Sequence, residues 1–365
     1  MKRRAFLAGA AGAGVLAAAS SFPKPAISQG VRELKMHTTW PKRLPVLGTG
    51  AERMAERISR MSSGKLQIKV YAAGELVPAF EGFDAVSNGT VDLCHSAAYY
   101  WQGKHKAFNF FTAVPYGLNG PETASWIHWG GGQKLWDELG AQFNVKPFLR
   151  GATGTQMAGW FRKEINSLAD LKGLKMRIPG LGGEVLKTLG VTVVNLPGGE
   201  VFPALQSGAI DATEWVGPFA DITLGFYKVT KAYHWPGFHE PGTTGELLVN
   251  MKVWESLPAD QKEMLKTLAE SEAQIEFAEW NHGNGEALVT MVDKYKVNLK
   301  KLPDEVLAEF GKISGDVVAA VANEDPFSKK VFESYLDFRK KQVAYTKISE
   351  QAYLNARSLP FKYST

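Results

Sequence analysis

The chain has 365 residues, 45% of them hydrophobic, with 42 basic against 37 acidic side chains. That length favours two domains, and the charge balance gives no reason to invoke a nucleic-acid partner. A single cysteine, Cys94, excludes an intramolecular disulfide and any cysteine-built metal cluster.

The first element is a targeting segment. Lys2-Arg3-Arg4 precedes Ala5-Phe6-Leu7 and a mild apolar run, AGAAGAGVLAAA, which is too short to span a bilayer. Adjacent arginines before Phe-Leu predict a twin-arginine export signal over 1–28, cut after Ala26-Ile27-Ser28, and a periplasmic destination. Lys2, Arg3, Arg4 and Lys24 leave with it, so the mature chain is close to neutral. Nothing after the signal is long and apolar enough to cross a membrane.

Strands and helices then alternate. ELKMHTTW (33–40) reads as a strand, GTGAERMAERISRMSSG (48–64) as an amphipathic helix, and KLQIKVYAAG (65–74) as a strand. AFEGFDAVSNG (79–89) reads as a helix and TVDLCHSA (90–97) as a strand, with Cys94 a buried, inert thiol. Tyr99-Tyr100-Trp101 follows, either as the aromatic wall of a cleft or as ordinary core. The GGG at 130–132 has no strand-to-helix dinucleotide fingerprint around it and reads as a backbone turn. A second set comprises strands at 157–164, 173–180 and 191–197 with short helices GEVLKTLG and EVFPALQSG. Such alternation predicts an α/β fold with largely parallel sheets.

The two sets echo each other. AVSNGTVDLCH (85–95) and ALQSGAIDATEW (204–215) share a helix end, a glycine, an aspartate and a following strand. Two similar lobes facing one another are expected, lobe I over 29–150 and lobe II over 151–255. From 256 to 365 the chain turns helical, crosses back to lobe I, and ends in a long helix with a stripe of Phe332, Tyr335, Phe338, Tyr345 and Tyr353. That stripe either packs on its own core or docks on a second subunit.

Catalytic signatures are absent: there is no G-x-S-x-G elbow, phosphate loop or H-E-x-x-H, and the seven histidines show no ligand spacing. The second echo instead brings Glu214 and Trp215, in DATEWVGPF, to a strand end, where a cleft forms in such folds. Arg177, alone among apolar residues in GLKMRIPG, is placed to clamp a carboxylate with two parallel hydrogen bonds or to pair with a neighbour such as Glu214.

The blocks GELVPAFEGFDAVSNGTVDLCHSAAYYWQGK, GTQMAGWFRKEINSLADLKGLKMRIPG and PALQSGAIDATEWVGPF resemble the periplasmic solute-binding proteins of TRAP-type transporters over essentially the whole mature chain. QMAGWFR and DATEWVGP resemble the branch that binds 2-keto acids and related monocarboxylates such as lactate. The resemblance implies a two-lobed periplasmic-binding-protein fold that encloses a small organic acid and delivers it to a membrane permease. It also implies that Arg177 holds the substrate carboxylate and that Tyr100 reaches the ligand from lobe I. A bound sodium or calcium ion is implied between Gln156, Glu214, the Trp215 carbonyl and Glu240, with Gln156 and Trp215 also beside the substrate. All of these donors are oxygens, as a hard cation requires. The cation would turn two repulsive carboxylates into part of an anion site and select acids with a 2-keto or 2-hydroxy oxygen.

Three further expectations follow. Arg177→Ala abolishes binding without unfolding, the ligand being its main partner. HEPGTTGE (239–246) is poor in aromatics, so the pocket is expected to be wide. The C-terminal helix is a candidate homodimer contact. The competing class is an exported enzyme acting on carboxylic acids with Glu214 or Glu240 as base, which no nucleophile or cofactor motif supports.

Overall fold

The alternation resolves into two sheets, each with its own helices, in a computed structural model that describes residues 30–362. The signal expected over 1–28 lies outside the described residues. The first sheet has the order β2-β1-β3-β10-β4, formed by β1 (Arg32–Thr38), β2 (Leu66–Tyr71), β3 (Leu93–Ser96), β4 (Val145–Ala152) and β10 (Thr244–Asn250). The second has the order β11-β9-β5-β8-β6-β7. Its strands are β5 (Gly159–Phe161), β6 (Lys175–Arg177), β7 (Thr192–Val194), β8 (Ala212–Thr213), β9 (Ala232–Trp235) and β11 (Asn298–Lys301).

Pairing is parallel where helices connect the strands, as in β1 with β2 and β3 or β6 with β7 and β8. It is antiparallel along β10 and β5, the strands through which the chain passes from one sheet to the other. The expected parallel character therefore holds for the βαβ parts, and the crossing strands are the exception. The crossings also shift the expected boundaries. Thr244–Asn250, assigned to lobe II on sequence, pairs with β3 and β4 of the first sheet. Asn298–Lys301, assigned to the returning helical region, pairs with β9 of the second. Sequence pattern gives an element's type; it does not say which sheet a crossing strand joins.

Helices fill the connections: α1 (Leu47–Met61), α2 (Gly82–Ser87), α3 (Gly120–Trp129), α4 (Gly132–Ala141), α5 (Gly180–Thr188), α6 (Gly198–Ser207), α7 (Pro218–Leu224) and α8 (Met251–Ser256). In α1 the residues Ala51, Met54 and Ile58 fall on one face and are buried against Leu34, Met36, Leu66 and Leu93 of the first sheet. Each large side chain so buried contributes about 1.5–3 kcal/mol. The two echo units have the same brace. The Lys35 N–H donates to Asp92 Oδ2 at 2.7 Å and the Asp92 N–H to the Lys35 carbonyl at 3.1 Å; Lys175 and Asp211 repeat this at 3.0 and 2.7 Å. The shared glycines, Gly89 and Gly208, both have positive φ, as the helix-to-strand turn requires.

The helix α9 (Ala259–Asp293) ties the sheets together. Its first half receives Arg53 and Arg57 of α1 on the buried Glu272, both at 2.8–2.9 Å. Further along, Asn284 Oδ1 accepts the Phe219 N–H of α7 at 2.9 Å, and Gly283 leaves room for the Phe219 ring. The helices α10 (Asp304–Ala322), α11 (Pro326–Ile348) and α12 (Glu350–Arg357) follow. The tail expected as one helix breaks at Ser349. Its aromatic stripe divides as well: Phe332, Tyr335 and Phe338 pack on the first lobe's core, whereas Tyr345 and Tyr353 are more than 60% exposed.

Glu246 of β10 is buried in the first sheet with the Trp101 indole N–H as its donor. Burial pushes its carboxyl up to about 8. A folded value above the ordinary one near 4.3 gives stability that is complete below that ordinary value and lost as pH rises through 8. The melting temperature of the ligand-free protein is therefore expected to decline between pH 5 and 9, and Glu246→Gln to flatten the decline by a few degrees. Parallel curves for the two proteins would remove Glu246 from this role.

Candidate functional site

Parallel pairing of β6 with β8 sets Arg177 opposite Thr213, and the Glu214 N–H then donates to the Arg177 carbonyl at 3.2 Å. The register alone thus brings Arg177 and Glu214 together, and their side chains form a fully buried ion pair. Arg177 Nε donates to the Leu196 carbonyl at 3.1 Å and Nη1 to the Glu214 carbonyl at 3.3 Å. Nη2 lies 3.2 Å from the Tyr100 hydroxyl of the first lobe, with one of its N–H groups left uncommitted among the described residues. The guanidinium also stacks over the Trp215 ring, 4.9 Å from its centroid. Burial acts to lower the Arg177 pKa, but Glu214, the tyrosines and Glu240 together hold it above its ordinary value.

Both roles weighed for Arg177 are therefore compatible: it is paired with Glu214 and still faces the cleft. The premise behind the Arg177→Ala expectation, that the ligand is the arginine's main partner, is corrected: Glu214 already holds it. Removing the guanidinium strands a buried Glu214, which costs about 3–5 kcal/mol.

The turn after Glu214 is held from below. Asp221 Oδ1 accepts the Val216 and Gly217 N–H groups at 3.3 and 3.2 Å. Its Oδ2 accepts the Trp160 indole at 2.9 Å and the Tyr233 hydroxyl at 2.8 Å. Four donors on one buried carboxylate fix the Trp215 backbone, whose carbonyl accepts no hydrogen bond from the described residues.

Glu240 arrives from the segment between β9 and β10 and is 2% exposed. Its Oε2 accepts from Gln156 Nε2 at 2.8 Å and from the Thr243 hydroxyl. Gln156 Nε2 also lies 2.8 Å from Thr243 Oγ1 and 3.4 Å from Thr153 Oγ1. These bonds use up the amide nitrogen and turn the amide oxygen away from any donor. Gln156 Oε1 and Glu240 Oε1 are both buried without a hydrogen-bond partner. Burial, and then the Glu214 charge, push the Glu240 carboxyl up to about 7. One oxygen each from Glu214 and Glu240 and a ring nitrogen of His239 lie within 4.8 Å of one another. A cluster of buried acceptors lacking donors is a chemical fit for a cation with oxygen ligands.

All the residues singled out on sequence are thus in one place: Tyr100, Gln156, Arg177, Glu214, Trp215 and Glu240. His239 was missed. Its Nε2 lies 3.4 Å from Glu214 Oε2, and its adjacency to Glu240 was the only available signal. The hydroxyls of Thr153 and Thr243, which orient Gln156 and Glu240, carried no signal.

Between the lobes lies a cavity of about 30 Å³. Trp40, Tyr99 and Tyr100 wall it from the first lobe, and Gln156, Arg177 and Trp215 from the second. Trp40 meets Trp215 edge-on at 6.2 Å and Tyr100 at 6.1 Å. The wide pocket expected from an aromatic-poor 239–246 segment is corrected: the missing rings come from the first lobe. Trp101 is buried in that lobe's core instead, so the Tyr99-Tyr100-Trp101 run serves both purposes.

The chain is 44% identical over 324 residues to the monocarboxylate 2-oxoacid-binding periplasmic protein of a Nostoc species, covering 89% of this chain and 88% of that one. Among solved structures, a TRAP periplasmic solute-binding protein from Pseudoalteromonas atlantica with bound sodium and pyruvate superposes with a TM-score of 0.87. It is 37% identical, covering 91% of this chain and all of that one. One from Colwellia psychrerythraea, with bound calcium and pyruvate, gives 0.86 at 37% identity, over 90% of this chain and all of the other. A third, from Bordetella bronchiseptica, is a mixed-occupancy dimer with copurified calcium and picolinate in one site; it gives 0.88 at 35% identity over 90% and 97% of the two chains. A family model matches residues 36–325, and the chain accordingly belongs to the bacterial extracellular solute-binding proteins of family 7, as a TRAP-type binding protein and not an enzyme.

Proposed function

We propose that this protein captures a 2-oxo or 2-hydroxy monocarboxylate, such as pyruvate or lactate, in the periplasm and delivers it to a TRAP membrane permease. Gln156, Glu214, the Trp215 carbonyl and Glu240 would hold a sodium or calcium ion, and Arg177 with Tyr100 would hold the carboxylate. The observation that carries this reading is the surplus of buried acceptors beside one arginine: Gln156 Oε1 and Glu240 Oε1 have no donor. When bound, the cation supplies the positive charge those oxygens lack and a coordination position for the acid's second oxygen. The protein's own part is to orient. Asp221 fixes the Trp215 backbone, Thr153 and Thr243 fix Gln156 and Glu240, and Trp40 with Trp215 excludes water. The Nostoc relative and the two pyruvate-bound structures support the choice of acid.

Export by the twin-arginine route belongs to the same proposal and is supported by residues 2–7. So does a homodimer through the C-terminal helices, supported by the exposed Tyr345, Ile348 and Tyr353 and by the dimeric Bordetella structure.

Calorimetric titration is expected to show pyruvate binding at least tenfold more tightly than acetate, with the difference vanishing once sodium and calcium are both removed. Equal affinities with the cations present would refute the cation-mediated reading. Arg177→Lys keeps the charge but loses the planar fork. It should weaken pyruvate binding by about ten- to a hundredfold, or about 1.4–2.8 kcal/mol, with a smaller loss of melting temperature than Arg177→Ala. An unchanged affinity would take Arg177 out of the ligand's contacts. For the dimer, Tyr345→Glu with Ile348→Glu should halve the mass found by light scattering; a wild-type monomer at micromolar concentration refutes it.

A further inference from the structure

One charged group that lines the cavity has no part in holding the cation or the ligand's carboxylate. Glu276 projects from α9 into the first-lobe side of the cavity and is 1% exposed. One carboxylate oxygen is taken by Nη1 of Arg150, a completely buried residue of β4 that is itself absent from the cavity lining. Oε2 accepts no hydrogen bond among the described residues. The arrangement is built around this side chain, because a Cβ at Gly50 or at Gly151 would collide with its carboxylate. Arg150 Nη1 also lies 2.8 Å from His95 Nε2. Burial, and then the Arg150 charge, hold His95 well below its ordinary value, so it adds no positive charge.

We propose that Glu276 restricts the site to acids with a single carboxylate, by presenting a buried negative charge to the end of the ligand remote from Arg177. The proposal rests on the carboxylate-binding reading above. Two arginines, Arg150 and Arg177, face three glutamates, Glu214, Glu240 and Glu276, leaving one net negative charge before any cation. With one carboxylate bound, that sum is zero for calcium and one negative for sodium; a second carboxylate adds another negative charge in either case, next to Glu276. Arg150 is already counted in that sum and does not line the cavity, so the charge nearest a distal group is that of Glu276. Like charges opposed in a site with little water are strongly unfavourable. A distal methyl, hydroxyl or amide meets no such penalty, and an N–H or O–H there finds a free acceptor in Oε2.

The test compares malate with its 4-amide, which has the same length and a near-identical shape but only one carboxylate. Burial raises the Glu276 carboxyl to about 7, against the pull of Arg150, so titrations of the full-length mature protein run at pH 8 with sodium and calcium present. Pyruvate and the 4-amide are expected to bind, with malate weaker than its amide by at least tenfold. Glu276→Gln should narrow that ratio to about threefold or less. Arg150→Gln/Glu276→Gln, which leaves no unmatched buried charge, should do the same and guards against a folding defect in the single variant. Equal binding of malate and its amide by the wild type overturns the proposal, as does a ratio unchanged in both variants. Failure of both four-carbon acids while pyruvate binds also overturns it, since size alone then excludes them. Failure of pyruvate to bind would sink the carboxylate-binding reading and this filter with it.

Discussion

The architecture around the cleft is organised by a deficit of positive charge. Arg177 is buried against Glu214 with Glu240 close by, and the second carboxylate oxygen of Glu240 and the amide oxygen of Gln156 find no hydrogen-bond donor. Buried acceptors without donors are costly in a finished core. Their presence in one place marks a site that is complete only with its cargo. The braces around it serve that end: Asp221 beneath the turn, the threonines behind Gln156 and Glu240, and the indole of Trp215 against the guanidinium. Each fixes a group whose position would otherwise relax to relieve the deficit.

The lobes converge on this point through strand register. β6 and β8 run parallel and end together, so Arg177 and Glu214 need no special loop to meet. Gln156 and Glu240 come from the two segments that cross between sheets, and the Gln156 N–H donates to the Glu240 carbonyl at 3.1 Å. The crossing segments therefore carry two of the acceptors, while the ends of the βαβ strands carry Arg177, Glu214 and Trp215.

Much of this was legible in the sequence, for identifiable reasons. The echo at 85–95 and 204–215 located both strand ends because a glycine with positive φ and a bracing aspartate leave a local signature. Arg177, Glu214, Trp215, Gln156 and Glu240 were singled out through their motifs, and folding brings them together. The allocation of β10 and β11 to sheets was not legible, because pairing partners distant in sequence leave no trace in local hydrophobic period. The aromatic wall was legible in part: Tyr99 and Tyr100 line the cavity, as one of the two readings of 99–101 had it, whereas Trp40 carried no signal. A pocket width judged from 239–246 alone leaves out these first-lobe rings, which only folding brings opposite that segment. His239 and Glu276 were passed over because neither sits in a spacing that separates a site residue from an ordinary core or helix residue.

The cavity of about 30 Å³ is walled on both sides by large rings, with α9 running behind from one lobe to the other. A molecule held there is flanked by rings of both lobes, so separation of the lobes would remove half of its walls at once. Lobe opening could then limit the rate of release, as closure does in many binding clefts. A membrane partner that grips both lobes and pulls them apart could empty the site quickly without weakening a single bond to the cargo in advance.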